Sequence, residues 1–299
     1  MNEAVKTKIN EYKNIINKKL DEYLVIQYPE QIWESMRYSV LADGKRIRPV
    51  LTLETCSTIC GSYEQAIPTA CAIEMLHAQS LIHDDLPCMD NDDYRRGKLT
   101  NHKVYGESTA VLAGDALLSF APQVIIQNTK RGTEGVKCHT IISVLEEFLI
   151  NAGAEKLIGG QVVDITSEGK QITKETLDYI HKNKTGALFK LAMRSGAMLA
   201  GADEAKLAAV TEFAEKIGLA FQISDDILDE TASLETLGKT PGKDKEAGKV
   251  TYLSFYGMGE SKKQLADLCD SACGILLENG IQSEVLCEIA KSINDRVKG

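Results

Sequence analysis

The sequence predicts an all-α fold, and three features carry that prediction. Residues 155–163, 174–199 and 204–228 keep Ala, Leu, Lys and Glu on helical spacing. Only six prolines occur, at positions 29, 49, 68, 87, 122 and 241, and none interrupts residues 123–240, so helices of many turns can form there. Strand signatures are scarce, with no Asn-Gly hairpin between alternating β-branched residues.

Taken in order, the chain opens on an amphipathic helix, with Ile9, Tyr12, Ile15, Ile16, Leu20 and Tyr23 recurring among Lys, Glu and Asn. Trp33 reads as core packing. Residues 44–49, GKRIRP, set Lys45, Arg46 and Arg48 ahead of an apolar helix. The run SLIHDD ends another helix, on which His77, Ser80 or Leu81, and Asp84 share a face; Pro87 disturbs it before Asp90. His102 orders the loop after Arg96, while His139 and His181 fit surface or helix-end positions. Residues 106–118, GESTAVLAGDALL, read as a tightly packed helix whose polar exception, Asp115, makes a structural hydrogen bond. Short loops at 132–135 and 238–245 look like connections inside one bundle, and no Ser/Gly-rich linker divides the chain, so residues 1–299 form one domain.

Composition bounds the function. A 43% hydrophobic content supports a substantial core. The net charge of −9 and pI near 5.2 argue against nucleic acid as the main partner. The N-terminus lacks the apolar core of a signal peptide and no run of eighteen apolar residues occurs, which predicts a soluble cytoplasmic protein without a stable membrane anchor. The eight cysteines are expected to stay reduced; Cys56/Cys60 and Cys269/Cys273 sit one helical turn apart, unlike a zinc knuckle.

Two acidic clusters carry the chemistry. Residues 83–97, HDDLPCMDNDDYRRG, crowd Asp84, Asp85, Asp90, Asp92 and Asp93 beside Arg95 and Arg96. A hard divalent cation such as Mg²⁺ is held by carboxylates together with substrate phosphates, which Arg also grips. Residues 221–230, FQISDDILDE, put Gln222, Asp225 and Asp229 on one face of a helix with Asp226 beside them. Acidic faces on apolar helices that meet in one cavity are a known way to build a metal site in a bundle. Lys45, Arg46, Arg48, Arg95, Arg96, Lys184 and Lys239 flank the two motifs and suit phosphate groups. A P-loop at Gly238-Lys239-Thr240 fails because residue 233 is Ser, and a calcium loop from Asp90 fails because residues 95 and 101 are Arg and Asn.

GKRIRP, EMLHAQSLIHDDLPCMDNDDYRRGKLTNH, GDALL, GGQVVD, HKNKTG, FQISDDILD and LGKTPGKD together resemble, in order and spacing, the trans-isoprenyl diphosphate synthases, over about residues 44 to 252. The resemblance implies a homodimer of single-domain bundles of long helices around a deep central cavity, the isoprenoid synthase fold. It implies joining of isopentenyl diphosphate to an allylic diphosphate with Mg²⁺, three ions per site. Asp84, Asp85 and Asp90 match the first aspartate-rich motif and Asp225, Asp226 and Asp229 the second, with metal ligation chiefly at Asp84, Asp90 and Asp225. Lys45, Arg48, His77 and Arg96 match the isopentenyl diphosphate site, and Arg95, Lys184 and Lys239 the allylic diphosphate site. Thr185 and Gln222 match positions lining the developing carbocation, and Gln161 and Asp164 face the same cavity.

The chemistry fits these roles. Ionisation of the allylic carbon–oxygen bond needs charge stabilisation on the leaving diphosphate and a cavity that excludes water, and it needs no protein nucleophile. Gln79 and Ser80 lie just over one helical turn before Asp84 and are expected to bound the tunnel for the growing tail. Gln79 stands where an aromatic residue favours a fifteen-carbon product in this family, which tilts the expectation towards twenty carbons, geranylgeranyl over farnesyl diphosphate. A class I terpene cyclase shares one aspartate motif but not DDILD or GKRIRP, and a non-catalytic subunit of a heteromeric synthase typically lacks one of the two motifs present here.

Overall fold

The structure, a computed structural model, describes residues 1–130, 136–231 and 250–298. Lys239 and the loops at 132–135 and 238–245 lie outside the described residues. The first helix, α1 (Glu3–Tyr23), starts where the Asn2 side chain accepts a hydrogen bond from the Val5 N–H at 2.9 Å. It buries Val5, Tyr12, Ile16, Leu20 and Tyr23, a stripe at the helical period. Helices α2 (Glu30–Val40), α3 (Ile47–Cys60) and α4 (Ile67–Asp84) follow, with Pro68 in the first turn of α4, where no helical N–H is needed.

A two-stranded hairpin comes next, β1 (Tyr94–Arg95) and β2 (Lys98–Leu99), with Tyr94 opposite Leu99 and Arg95 opposite Lys98. The sequence reading has no strand here. The two residues of its loop, Arg96 and Gly97, have φ of 54° and 75°, the left-handed pair that a tight hairpin turn requires. Beyond it lie α5 (Asn101–Tyr105), α6 (Glu107–Lys130), α7 (Cys138–Ala152), α8 (Leu157–Ser167) and α9 (Lys174–Ile180). A π-helical turn (His181–Gly186) joins α9 to α10 (Ala187–Leu199). The chain closes with α11 (Glu204–Thr231), α12 (Tyr252–Glu278) and α13 (Glu284–Asp295).

Helices α4 and α10 are buried nearly all round and sit at the centre: α4 packs against α1, α2, α3, α6 and α10, and α10 against α3, α7 and α11. Helix α11 packs on α12 and α13. One continuous apolar core runs from Val5 to Ile293. Trp33 joins it through an edge-on contact with Phe120, ring centroids 5.5 Å apart, and all eight cysteines are free thiols. The Thr100 hydroxyl and His102 Nδ1 lie 3.1 Å apart, tying His102 into the loop after the hairpin. His181 sits at the end of α9, one of the two positions expected for it, and is buried there. Asp115, expected to hydrogen-bond within a tightly packed helix, is exposed, because α6 is covered by the core on only one side.

Within GKRIRP the three cations divide. Arg46, at φ 50°, turns inward and spends its guanidinium on Glu74 Oε1 (2.7 Å), Asn17 Oδ1 (2.9 Å) and the carbonyls of Val40 (2.8 Å) and Ala42 (2.9 Å). A buried cation is tolerable only with such full pairing. Besides the apolar packing of α3 on α4, this ion pair pins the start of α3 to α4, with Lys45 and Arg48 on either side of Arg46 in the chain. Removing Glu74 leaves a buried, uncompensated guanidinium, so Glu74→Ala is expected to lower unfolding stability by about 3–5 kcal/mol in urea titrations; a loss under 1 kcal/mol would refute the anchor.

Candidate active site

The first acidic cluster is sorted by local geometry. Helix α4 ends at Asp84, and the Asp90 N–H donates to the Asp84 carbonyl at 2.8 Å, folding the segment around Pro87 so that Asp90 returns beside Asp84. Asp84, Asp90 and Asp92 line a cavity; Asp85 instead accepts from Arg95 Nε at 2.6 Å, and Asp93 pairs with Lys103 at 2.7 Å. Burial raises the Asp84 carboxyl to about 6, against the pull of Lys184 and with Asp90 pushing the same way. Burial also raises Asp85, while Arg95 draws it back.

The opposite wall is α11. Gln222, Asp225 and Asp226 line the same cavity, which is open to solvent and has a volume of about 530 Å³. The expected face of Gln222, Asp225 and Asp229 is thus used with Asp226 in place of Asp229, which is buried outside the lining. Asp226 accepts the Tyr252 N–H at 2.7 Å, which fastens the start of α12 to this wall.

The third wall is the π-helical turn. It presents Lys184 and Thr185 to the cavity, and Lys184 Nζ lies 2.5 Å from Asp164 of α8. This requires α8 to touch the turn's backbone: a Cβ on Gly160 would sit 2.4 Å from the Lys184 nitrogen. Gln161, one residue on, has both side-chain polar atoms buried without a hydrogen-bond partner among the described residues and is not part of the lining. His181 forms part of the wall, and burial pushes its imidazole down to about 4, so it is neutral.

A second, basic cluster adjoins the acidic cavity. Arg48 stacks over Phe189, 5.1 Å from guanidinium to ring centroid, and its buried Nε has no hydrogen-bond partner among the described residues. Burial pushes this guanidinium down to about 10, with Glu74 and Asp225 pulling it up and Arg96 pushing it down; it stays charged. His77 is driven well below its ordinary range by burial and then by Arg48, Arg96, Arg95 and Arg46. Partial burial of its ammonium, then Arg296, lowers Lys45, against Asp225. The Arg96 guanidinium lies against Gly44, whose added Cβ would meet its Nη1 at 2.8 Å. The hairpin turn therefore separates two neighbouring arginines, Arg95 facing the acidic cavity and Arg96 facing the GKRIRP segment.

Gln79 and Ser80 stand away from the metal-facing lining. Gln79 is buried, 3.1 Å from His83 Nδ1, and His83 Nε2 is 3.1 Å from the Val111 carbonyl. That carbonyl only accepts, so Nε2 carries the proton and Nδ1 accepts from the Gln79 amide. The chain Gln79–His83–Val111 bridges α4 to α6. Ser80 donates to the His77 carbonyl at 3.0 Å.

One site residue escapes the sequence reading. Arg296 lies 2.8 Å from Asp225 Oδ1, donates to Ser224 Oγ at 3.0 Å and stacks on Phe221 at 4.9 Å. A signal existed: Ile289 and Ile293 define a buried face of α13, and Arg296 continues it by three residues.

No three His, Cys, Asp or Glu side chains converge on one point among the described residues. Two walls of hard carboxylate oxygens without a ready-made cage suit a small cation that keeps waters and takes its other ligands from a phosphate, as Mg²⁺ does.

The profile of the family described as Polyprenyl synthetase matches residues 29–274. The chain is 51% identical over 254 residues to the Dimethylallyltranstransferase of Fischerella ambigua (strain UTEX 1903), spanning 85% of this chain and 72% of that protein. It is 49% identical over 267 residues to the Geranylgeranyl diphosphate synthase of Cyanophora paradoxa, spanning 89% and 88%. The apo crystal structure of an FPP/GFPP synthase from Zymomonas mobilis superposes with a TM-score of 0.84 at 33% identity, over 97% of this chain and 99% of that one. The chain belongs to the polyprenyl synthetase family and has its all-α isoprenoid synthase fold.

The contact between Gly160 and the π-helical turn makes a direct prediction. Gly160→Ala is expected to cost about 1–3 kcal/mol of stability by overpacking and to lower kcat by displacing Lys184 and Thr185. Unchanged melting and turnover would show that α8 does not set the turn.

Proposed function

We propose that the chain is a short-chain trans-prenyltransferase that joins isopentenyl diphosphate to an allylic diphosphate, with geranylgeranyl diphosphate as its main product. The observation that carries this reading is one cavity lined by Asp84 and Asp90 on one side and Asp225 and Asp226 on the other, with an arginine–histidine cluster nearby in which the buried Arg48 Nε has no hydrogen-bond partner among the described residues. Asp84, Asp90 and Asp225 hold Mg²⁺, three ions per site, with Asp85, Asp226 and Asp229 completing the motifs. When bound, Mg²⁺ supplies positive charge to the leaving diphosphate.

The protein's own groups do the rest. Arg95 and Lys184 take the allylic diphosphate, aided by Lys239; in the structure both described cations rest on carboxylates, Asp85 and Asp164, from which a diphosphate can recruit them. Arg48, with its orphan Nε, together with Lys45, Arg96 and the neutral His77, takes isopentenyl diphosphate. Thr185 and Gln222 line the space where the allylic cation develops, and Leu81, Met89, Ile172, Leu177 and Ile180 limit water there. The departing diphosphate accepts the final proton, so no side chain is required as general base.

One continuous core supports a single-domain unit, and exposed apolar side chains support a homodimer. Leu112 of α6, Ile142 and Leu149 of α7 and Val162 of α8 are each more than half exposed on neighbouring helices. Residues Glu107–Gln127 also form a helix long and apolar enough to cross a membrane, but part of that helix is built into the core through Ala110, Ala113, Leu117 and Ala121. An interface between copies accounts for both facts.

The test of function is labelled isopentenyl diphosphate offered with dimethylallyl, geranyl or farnesyl diphosphate, with products sized after dephosphorylation. Diphosphate release from an allylic substrate without isopentenyl diphosphate would favour a cyclase instead. Arg95→Ala is expected to raise KM chiefly for the allylic substrate and Arg96→Ala chiefly for isopentenyl diphosphate, each about tenfold or more; matching effects on both substrates would contradict the division. Gln79→Tyr breaks the bridge to His83 and is expected to shift product from twenty to fifteen carbons by chromatography. Light scattering is expected to give about twice the 32.7 kDa chain mass, reduced towards one chain by Leu112→Asp with Ile142→Asp.

A further inference from the structure

Three thiols cluster where α12 and α13 pack, remote in sequence from both aspartate motifs: Cys269 and Cys273 on α12 and Cys287 on α13. Cys269 is buried; Cys273 and Cys287 are both partly exposed. Cys273 Sγ lies 3.8 Å from the Cys287 carbonyl oxygen, which sets the two cysteines side by side across the packed helices. Cys56 and Cys60 form another near pair, their sulfurs 4.0 Å apart, but they lie one turn apart on the same helix, where Cβ spacing is too wide for a relaxed bridge.

We propose that Cys273 and Cys287 are a reversible thiol–disulfide site that locks α12 to α13 when an oxidised dithiol or glutathione disulfide is available. Cys273 Sγ packs on the backbone of Cys287 from a different helix and both residues are partly exposed, which supplies the access and close approach that exchange requires. The Cys273 side chain lowers the Cys287 thiol below its ordinary range, and Lys291 one turn along acts the same way, which selects Cys287 as the attacking sulfur. Cys287 Sγ, as thiolate, attacks one sulfur of the small disulfide and expels the other as thiolate. Cys273 Sγ then attacks the Cys287 sulfur of that mixed disulfide, expels the second thiolate, and the two cysteine protons end on the two released thiols. One protein disulfide forms as one small-molecule disulfide is reduced, with no other oxidant required. The bridge fixes α13, the helix that leads to Arg296 at Asp225, against α12.

The test uses the full native chain, reduced and then equilibrated with oxidised dithiothreitol or oxidised glutathione, alkylated, and cleaved after glutamate. Such cleavage separates residues 261–278, with Cys269 and Cys273, from residues 285–288, with Cys287. The expected result is a covalent link between these fragments at Cys273, with Cys269 alkylated, reversed by dithiothreitol and accompanied by a rise of about 5 °C in melting temperature. Cys273→Ser is expected to lose both the link and the rise. Complete alkylation of Cys273 and Cys287 after oxidation, a bridge to Cys269, or a disulfide only between two chains would each overturn the proposal.

Discussion

Seven carboxylates lining one cavity, four of them from the two aspartate motifs, are the constraint around which this molecule is built. Asp84 and Asp90 at the end of α4 face Asp225 and Asp226 on α11, and burial has already lifted Asp84 to about 6. Like charges in a partly desolvated space repel, so the two walls hold their spacing only because the helices carrying them are fixed elsewhere. Helix α10 does much of that fixing, since it touches α4 on one side and α11 on the other and is buried almost throughout. The fold stores a charge arrangement that a cation and a diphosphate complete.

The positive side is organised by separating cations that are neighbours in sequence. Arg46 goes into the core to Glu74, which leaves Lys45 and Arg48 free to feel the charge of Asp225. Arg96 takes the strained first position of a two-residue turn, which directs it to Gly44 while Arg95 stays with Asp85. Lys184 depends on a π-helical turn seated on Gly160. In each case a backbone irregularity, not the charge itself, decides which anion a cation can meet.

Much of this was legible in the sequence. The buried face of α1 follows the period of its isoleucines and tyrosines, and both aspartate motifs are recognisable from the paired acids after an apolar run. What stayed hidden depends on partners distant in the chain or on short irregular segments. Nothing local in GKRIRP says that Arg46 turns inward, because Glu74 decides it. Strands of two residues give no alternation to read, so the hairpin at Arg96-Gly97 passed unseen. His181 is a helix-end residue, as its sequence position suggests, but its burial comes from the π-helical turn, and Arg296 gains its role from Asp225, far earlier in the chain. Asp229 keeps helical register with Asp225, but Asp226 takes the cavity position instead.

The central claim is that the two acidic walls act as one clamp for Mg²⁺ and diphosphate. Calorimetric titration with inorganic diphosphate, with and without Mg²⁺, tests it on the chain and on Asp84→Asn, Asp225→Asn and the double variant. The account predicts Mg²⁺-dependent binding that falls at least tenfold in each single variant, with the double variant little worse than either, as expected for residues serving one bound group. Equal binding without Mg²⁺, or losses at the two walls that simply add, would contradict it.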